Sequence, residues 1–594
     1  MSALRPLGRA AGAAVAGRWS ASRRVAGPVS SPGTAAVSTA TAAGTSTGAP
    51  MGTPVGVLAA SPAASTAAPV ATGTATLRLN ASATIPAVAV GALTSKPYAF
   101  TSRPWELKET PAVDVMDGVG SNITVYTRGS EVMRILPRLN EEVNEEWISD
   151  KARFSYDGLK RQRLNSPMVR LPDGSLEAVS WDKARSVLRN KLLALDREAT
   201  STGTSYEAHA VVGPTADTEA MAELRRQFLR WFPAGQLHVA GATTALNTDF
   251  RHEYVMNSGL AGLESADAVL LVGVNPRKEA PLLNVRLRKS VTHGRMKVAL
   301  IGCAVDLTYP VDHLGHSAVT LREVAEGTHQ WCKTLAAARR PAVIVGNTLL
   351  ARADGAALAA MAQDVARHCG AINPAGGWDG WNVLHSGANT VGALDLSMDA
   401  AVKGTPSDWS ATKVLFLLAA DGLEGLDTLP DDCLVVYQGH HGDAGAAAAD
   451  VVLPGAAYTE KAGTYVNTEG RVQTGKAALF PPGAARTDVD VLRGLLGTHV
   501  PLSALGGAGS AAESPTGASF LAPHLAVDGS VQAGDRLWGA DPPPVPGAGA
   551  VRYATRMPFA PPVDNWYMSE PISRASTVMA KCTRVATANN FEQK

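Results

Sequence analysis

The sequence predicts an α/β protein, doubly wound, with two Rossmann-like lobes and a small β-rich subdomain on their N-terminal side. Three observations carry this. Short uncharged runs of Val, Leu and Ile recur, among them "AVLLVG", "PAVIVG", "VLFLL" and "CLVVYQG". A strand with no polar face is buried on both sides, as in a parallel sheet. Segments of helical periodicity separate these runs, and ahead of them "NITVYTRGSEVMRIL" sets two β-rich runs around Arg128-Gly129-Ser130, a hairpin pattern.

In chain order, the first stretch is of another kind. Residues 1–105 hold no Asp or Glu, while Arg5, Arg9, Arg18, Arg23 and Arg24 punctuate a Ser/Ala-rich start. Spaced arginines without acids are the pattern of an organellar presequence. Residues 25–77 carry no charge, yet Ser, Thr, Gly and Pro interrupt the alanines every few positions. A spanning helix needs roughly 20 mostly apolar residues, and this composition buries too little apolar surface to offset its ordering entropy. Residues 1–90 are therefore expected to be presequence and disordered low-complexity extension.

Residues 91–170 form the expected β-rich subdomain: the hairpin, then "NEEVNEEWISDKARFSYDGLKRQR" as a loop and short helix. The α/β domain spans 171–500. Within it "AHAVVG" reads as a strand, and the helix from about Asp217 sets Met221, Leu224, Phe228 and Trp231 on one face. "SADAVLLVGVNPRKEAPLLNVRLRKSVTHGRMKVALIG" is a βαβ unit, with Pro281 in the first helical turn and Gly294 as the left-handed cap. A Gly/Pro-rich flexible stretch follows at 501–550, and 551–594 is an extended arm with a short helix.

Composition excludes several classes. The 594 residues carry a net charge of +1, so no basic excess points to nucleic acid. The five cysteines, Cys303, Cys332, Cys369, Cys433 and Cys582, make no Cys-x-x-Cys pair, so no disulfide framework, zinc site or iron–sulfur site is readable. Their sparseness suits a reducing compartment.

Ligands of such folds sit at the carboxyl ends of strands. "GVNPRKEAP" at one end could cradle a phosphate on a helix N-terminus, but it lacks spaced glycines and reads as a structural turn. "QGHHGDAG" at another holds adjacent His440 and His441, which invite a metal; neighbouring side chains diverge, and a polar loop is the better reading. In "ADVVLPGAAYTEKAGTYVNTEGRVQ", Glu460, Lys461, Asn467, Glu469 and Arg471 serve equally as an ion-paired network or as the lining of a polar cofactor site.

That last stretch, with the Asn-Pro turn, resembles the molybdopterin oxidoreductase superfamily. "TSKPYAFTSRPWELKETPAVDVMDGVGSN", "NEEVNEEWISDKARFSYDGLKRQRL", "EAPLLNVRLRKS" and "WYMSEPISRAS" narrow the resemblance to the family of the large iron–sulfur (75-kDa) subunit of mitochondrial respiratory complex I, over about residues 90–594. In that family an iron–sulfur half precedes the α/β part and carries one two-iron and two four-iron clusters. It ends on a cysteine ligand before "Val-Gly-Ala-Leu"; the corresponding position here is Val88. Some bacterial relatives hold a further four-iron cluster in the β-rich subdomain, and the matching positions here are Asp114, Asp117, Ser121 and Ser149, oxygen donors in place of thiolates.

The resemblance implies a chain with no catalytic residue, no metal and no cofactor of its own. Asn275, Glu460, Asn467 and Arg471 would line a vestigial pterin cleft. The expected role is a scaffold in the matrix-facing peripheral arm of complex I at the mitochondrial inner membrane. Its partners would be a separately encoded iron–sulfur half and other peripheral-arm subunits, with no nucleic acid and only indirect membrane association. The alternatives are an active molybdopterin-dependent oxidoreductase, an incomplete form of the electron-carrying subunit, a diverged paralogue, and a free-standing nucleotide-binding protein.

Overall fold

Strand β1 (Lys108–Val113), β2 (Asn122–Arg128) and β3 (Glu131–Pro137) form an antiparallel sheet. Gly129, at φ 60°, turns the β2–β3 hairpin so that Arg128 faces Glu131. The structure is a computed structural model, which describes residues 94–202, 206–241, 246–373, 376–398, 408–495, 558–561 and 565–592. The expected presequence and extension at 1–90, Val88 and the stretch 501–550 lie outside the described residues.

Helix α1 (Asp150–Phe154) follows, capped by Ser149, whose hydroxyl accepts from Ala152 N. Strands β4 (Met168–Arg170) and β5 (Leu176–Ala178) and helix α2 (Trp181–Thr202) lead into β6 (Glu207–Val212), α3 (Thr218–Trp231) and β7 (Gln236–Val239). Asp217 caps α3 through Ala220 N at 2.8 Å, and Met221, Leu224, Phe228 and Trp231 are all buried, the face that the periodicity predicts.

The βαβ unit forms as expected from β8 (Ala268–Val272), α4 (Pro281–Thr292) and β9 (Lys297–Ile301), with β8 and β9 parallel and Gly294 at φ 67°. Then come β10 (Asp312–Gly315), α5 (Ala318–Ala325), β11 (Pro341–Gly346), α6 (Gly355–His368), β12 (Ile372–Asn373), β13 (Trp378–Asp379) and β14 (Trp381–Leu384). The chain continues through β15 (Thr412–Leu418), β16 (Leu434–Gly439), β17 (Val451–Pro454), β18 (Gly463–Val466), β19 (Val472–Gly475) and α7 (Asp488–Gly494).

Two sheets organise these elements. A parallel sheet runs β10-β9-β8-β11-β14, and a mixed one β5-β4-β17-β16-β15-β6-β7, in which β4 and β5 are antiparallel. Every residue of β8, β11 and β16 is buried, which explains their uninterrupted apolar composition. The five-stranded sheet is built wholly from residues between β7 and β15, so one lobe is inserted in the other.

The C-terminal segment differs from the extended arm expected. A 3₁₀ turn at Trp566–Met568, α8 (Pro571–Ala575) and α9 (Thr577–Glu592) make it largely helical. Pro571 pre-sets the first turn of α8. Asp157 then caps α9, taking Thr577 N at 3.0 Å and Thr577 Oγ1 at 2.8 Å. The segment packs on the β-rich subdomain, with Ile572 in the same core as Ile123, Val125 and Ile135.

Candidate functional site

Two polar clusters stand out. The first lies where β1 passes through the loop "DVMDGVGS" into β2. Asp114, Asp117, Ser121 and Ser149 are all buried, together with Lys151. Asp114 Oδ1 accepts from Met116 N at 3.1 Å and Asp117 Oδ1 from Val119 N at 3.0 Å. Lys151 Nζ donates to Met116 O at 2.9 Å and to Ser569 Oγ, tying the C-terminal segment to this loop. Burial pushes Asp114 well above the carboxylate range, helped by the neighbouring charge of Asp117, and burial lifts Asp117 to about 6. The four positions aligned with cluster ligands are thus near one another, and Lys151, which the sequence did not single out, is their countercharge.

The second cluster covers the carboxyl end of the seven-stranded sheet. Gly213, just beyond β6, approaches Ala419 O so closely that a Cβ would collide, which closes the crevice between β6 and β15. Lys461 Nζ is ion-paired to Asp217 Oδ2 at 2.5 Å and to Asp488, all three side chains buried. Gln438 Nε2 donates to Asp488 Oδ1 at 3.1 Å. Glu460 is held by Arg163 in a two-pronged pair at 2.5 and 2.6 Å and also accepts from Ala457 N.

His440 and His441 spend their nitrogens on each other. Their Nδ1 atoms are 2.5 Å apart, and His441 Nε2 is 2.9 Å from Gly158 O. A carbonyl only accepts, so His441 carries its proton on Nε2, and its bare Nδ1 accepts from His440 Nδ1–H. Burial depresses both rings, His441 to about 4. The pair is a polar packing device, with its Nδ1 atoms turned away from any shared external ligand.

The four residues expected to line a pterin cleft are not one group. Asn275 N donates to Glu279 in the five-stranded lobe at 2.6 Å, and burial raises Glu279 to about 8. Asn467 donates to Val119 O and accepts from Arg471 N, both at 2.9 Å. Arg471 in turn pairs with Glu469 at 2.9 Å and Glu142 at 2.5 Å. Glu460 shares none of these partners. The polar residues of "TEKAGTYVNTEGRVQ" are an ion-paired network, the first of the two readings their composition allowed. Arg163, Asp217 and Asp488 were missed because each lies far away in sequence; only folding brings them in.

The molybdopterin oxidoreductase family matches residues 163–498. An "NADH-ubiquinone oxidoreductase NDSU1/NuoG-like, 4Fe-4S domain" matches 107–157, and the C-terminal domain of the same NADH-ubiquinone oxidoreductase component matches 546–582. The NADH-ubiquinone oxidoreductase 75 kDa subunit of Reclinomonas americana is 40% identical over 84% of this chain and 72% of its own length. The potato (Solanum tuberosum) NADH dehydrogenase [ubiquinone] iron-sulfur protein 1 is 41% identical over 83% of this chain and 64% of its own. The 78 kDa subunit of Neurospora crassa is 41% identical over 83% and 65%.

The chain belongs to the family of the complex I 75-kDa subunit.

It spans between 64% and 72% of the length of these relatives. Neither group that the family domains imply suits the residues here. A four-iron cluster needs thiolates, and residues 107–157 contain no cysteine, the first in the chain being Cys303. The pterin candidates are committed to partners within the protein, and Lys461 with its aspartates fills the strand ends. Among the described residues no helix is long and apolar enough to cross a membrane.

Proposed function

We propose that this chain is a subunit of mitochondrial complex I, in the matrix-facing peripheral arm at the inner membrane, and that it works there as a scaffold outside the electron path. It holds a separately encoded iron–sulfur portion and neighbouring peripheral-arm subunits in register, binds no cluster or pterin, and meets the membrane only through the assembly. Cluster spacing sets the rate of each electron hop, so rigid support contributes to NADH-to-ubiquinone transfer without a catalytic residue. A permanent interface of this kind buries upward of ~2,000 Å².

One observation carries this reading: in the segment that matches a four-iron domain, buried Asp114, Asp117, Ser121, Ser149 and Lys151 stand where thiolates would be needed. The names of the relatives support the assembly.

Mass spectrometry of native complex I from the source organism tests it, together with iron, sulfide and molybdenum analysis of the purified chain. The expected result is this chain in the complex, cysteine-rich cluster peptides on another polypeptide, and no metal cofactor on the chain itself. Stoichiometric molybdenum would favour a working oxidoreductase and sink the scaffold. Recovery of "VGALTSKPYAF" joined to a cysteine-ligand peptide would place electron transfer on the same polypeptide.

A further inference from the structure

The loop between β1 and β2 holds more unspent oxygen than a folded core tolerates. Val113 and Asn122 are the last ladder pair of β1 and β2, and Asp114 N donates to Ser121 O at 2.9 Å as the next. Residues opposed in an antiparallel ribbon project to the same face, so Asp114 and Ser121 share one side. Asp114 is 0%, Ser121 1% and Asp117 3% exposed. Each aspartate is anchored by its Oδ1 alone. Asp114 Oδ2, Asp117 Oδ2 and Ser121 Oγ have no hydrogen-bond partner. A buried carboxylate oxygen left bare carries a desolvation cost that a hydrogen bond or a cation must offset.

Charge identifies what is missing. Lys151 is the cation that acts on both aspartates, and it is a single positive charge against two negative ones. Its hydrogen bonds go elsewhere, to Met116 O and Ser569 Oγ. Glu570, which also leans on Lys151, has Arg574 beside it. Ser149 is already spent on the cap of α1. The deficit at the loop is one positive charge, and the available donors are hard oxygens. Such a set suits an alkali cation, whereas soft transition metals want nitrogen or sulfur. A divalent ion would leave the buried site with a surplus charge.

We propose that Asp114, Asp117 and Ser121 bind one monovalent cation, K⁺ or Na⁺, in the place that the four-iron domain of the family gives to a cluster. The ion and Lys151 together neutralise the two carboxylates, and Lys151 passes the order of the loop to the C-terminal segment through Ser569.

The full-length chain, exchanged into choline chloride, is titrated with KCl, NaCl and MgCl₂ at constant ionic strength while thermal unfolding is followed. Equilibrium dialysis against RbCl with elemental analysis counts bound ions. K⁺ or Na⁺ is expected to raise Tm by several degrees and to saturate, with about one Rb⁺ retained per chain. Asp117→Asn and, as a milder change, Ser121→Ala should each weaken Rb⁺ retention at least tenfold. Equal Tm in choline, K⁺ and Na⁺, stabilisation by Mg²⁺ alone, or Rb⁺ retention unchanged in Ser121→Ala and Asp117→Asn overturns the proposal.

Discussion

Arg163 and Glu460, 297 residues apart, meet in a two-pronged ion pair whose side chains are each 5% exposed. Arg163 also donates to Leu159 O and His440 O, so one guanidinium joins the β-rich subdomain to the carboxyl end of β16. Deleting one partner of such a pair strands a buried charge. Glu460→Gln or Arg163→Met should therefore cost about 3–5 kcal/mol. The double replacement Arg163→Met with Glu460→Leu should recover most of that. Urea unfolding of the three variants checks it; equal losses in the single and double variants would show that packing, rather than charge, sets the cost.

Glu279 makes stability fall as pH rises. Its carboxyl is lifted by burial from 4.5 to about 8, against one opposing hydrogen bond from Asn275 N. Between those values the native chain keeps a proton that the unfolded chain has released. Stability is whole below pH 4.5 and is lost progressively up to about 8. The shift corresponds to at most ~5 kcal/mol. Glu279→Gln keeps the carbonyl acceptor and removes the charge, so it should raise stability at pH 8 and leave it nearly unchanged at pH 5.

Three histidines act in the opposite sense. Burial lowers His385 and His441 from 6.5 to about 4 and depresses His440 well below 6.5, with the His441 ring adding to the effect. For a base with a depressed native value, the contribution is whole above the unfolded value and is lost as pH falls through the native one. From pH 6.5 downward they outnumber Glu279, so acid should destabilise the chain. His385→Gln, whose amide can still donate to Tyr254 O, should flatten the slope of unfolding free energy between pH 6.5 and 4.5. An unchanged slope would remove His385 from the account.

Asp157 is the latch of the C-terminal helices. It takes Thr577 N, Thr577 Oγ1 and Ser576 Oγ from the start of α9. Loss of a helix cap costs roughly 1 kcal/mol, and here the cost falls on a peripheral unit. Asp157→Ala should speed amide exchange and proteolysis in residues 565–592 while barely moving global unfolding. Exchange rates equal to wild type would mean that Ile572 packing alone holds the segment.

Local pattern was enough for the strands and their helices. "AVLLVG" and "PAVIVG" could only be central strands, since no face of either is fit for water, and the 3.6-residue spacing of Met221, Leu224, Phe228 and Trp231 left α3 one way to pack. The loss of thiolates at Asp114, Asp117, Ser121 and Ser149 was equally legible, because a donor atom belongs to its residue whatever the fold. The C-terminal helices were less so: the cap of α9 is a side chain more than four hundred residues upstream.

What tertiary structure alone decided is which charges meet. Glu460 and Lys461 are adjacent, yet one pairs with Arg163 and the other with Asp217 and Asp488. From composition the same residues suited a cofactor site as well as an ion-paired loop. The sequence by itself determined the α/β architecture and the donor chemistry of each side chain, because both follow from local periodicity and covalent identity. The choice between a cleft and a closed network depended on distances and burial across the chain, and a buried charge takes its state from whatever folding sets within a few ångströms of it.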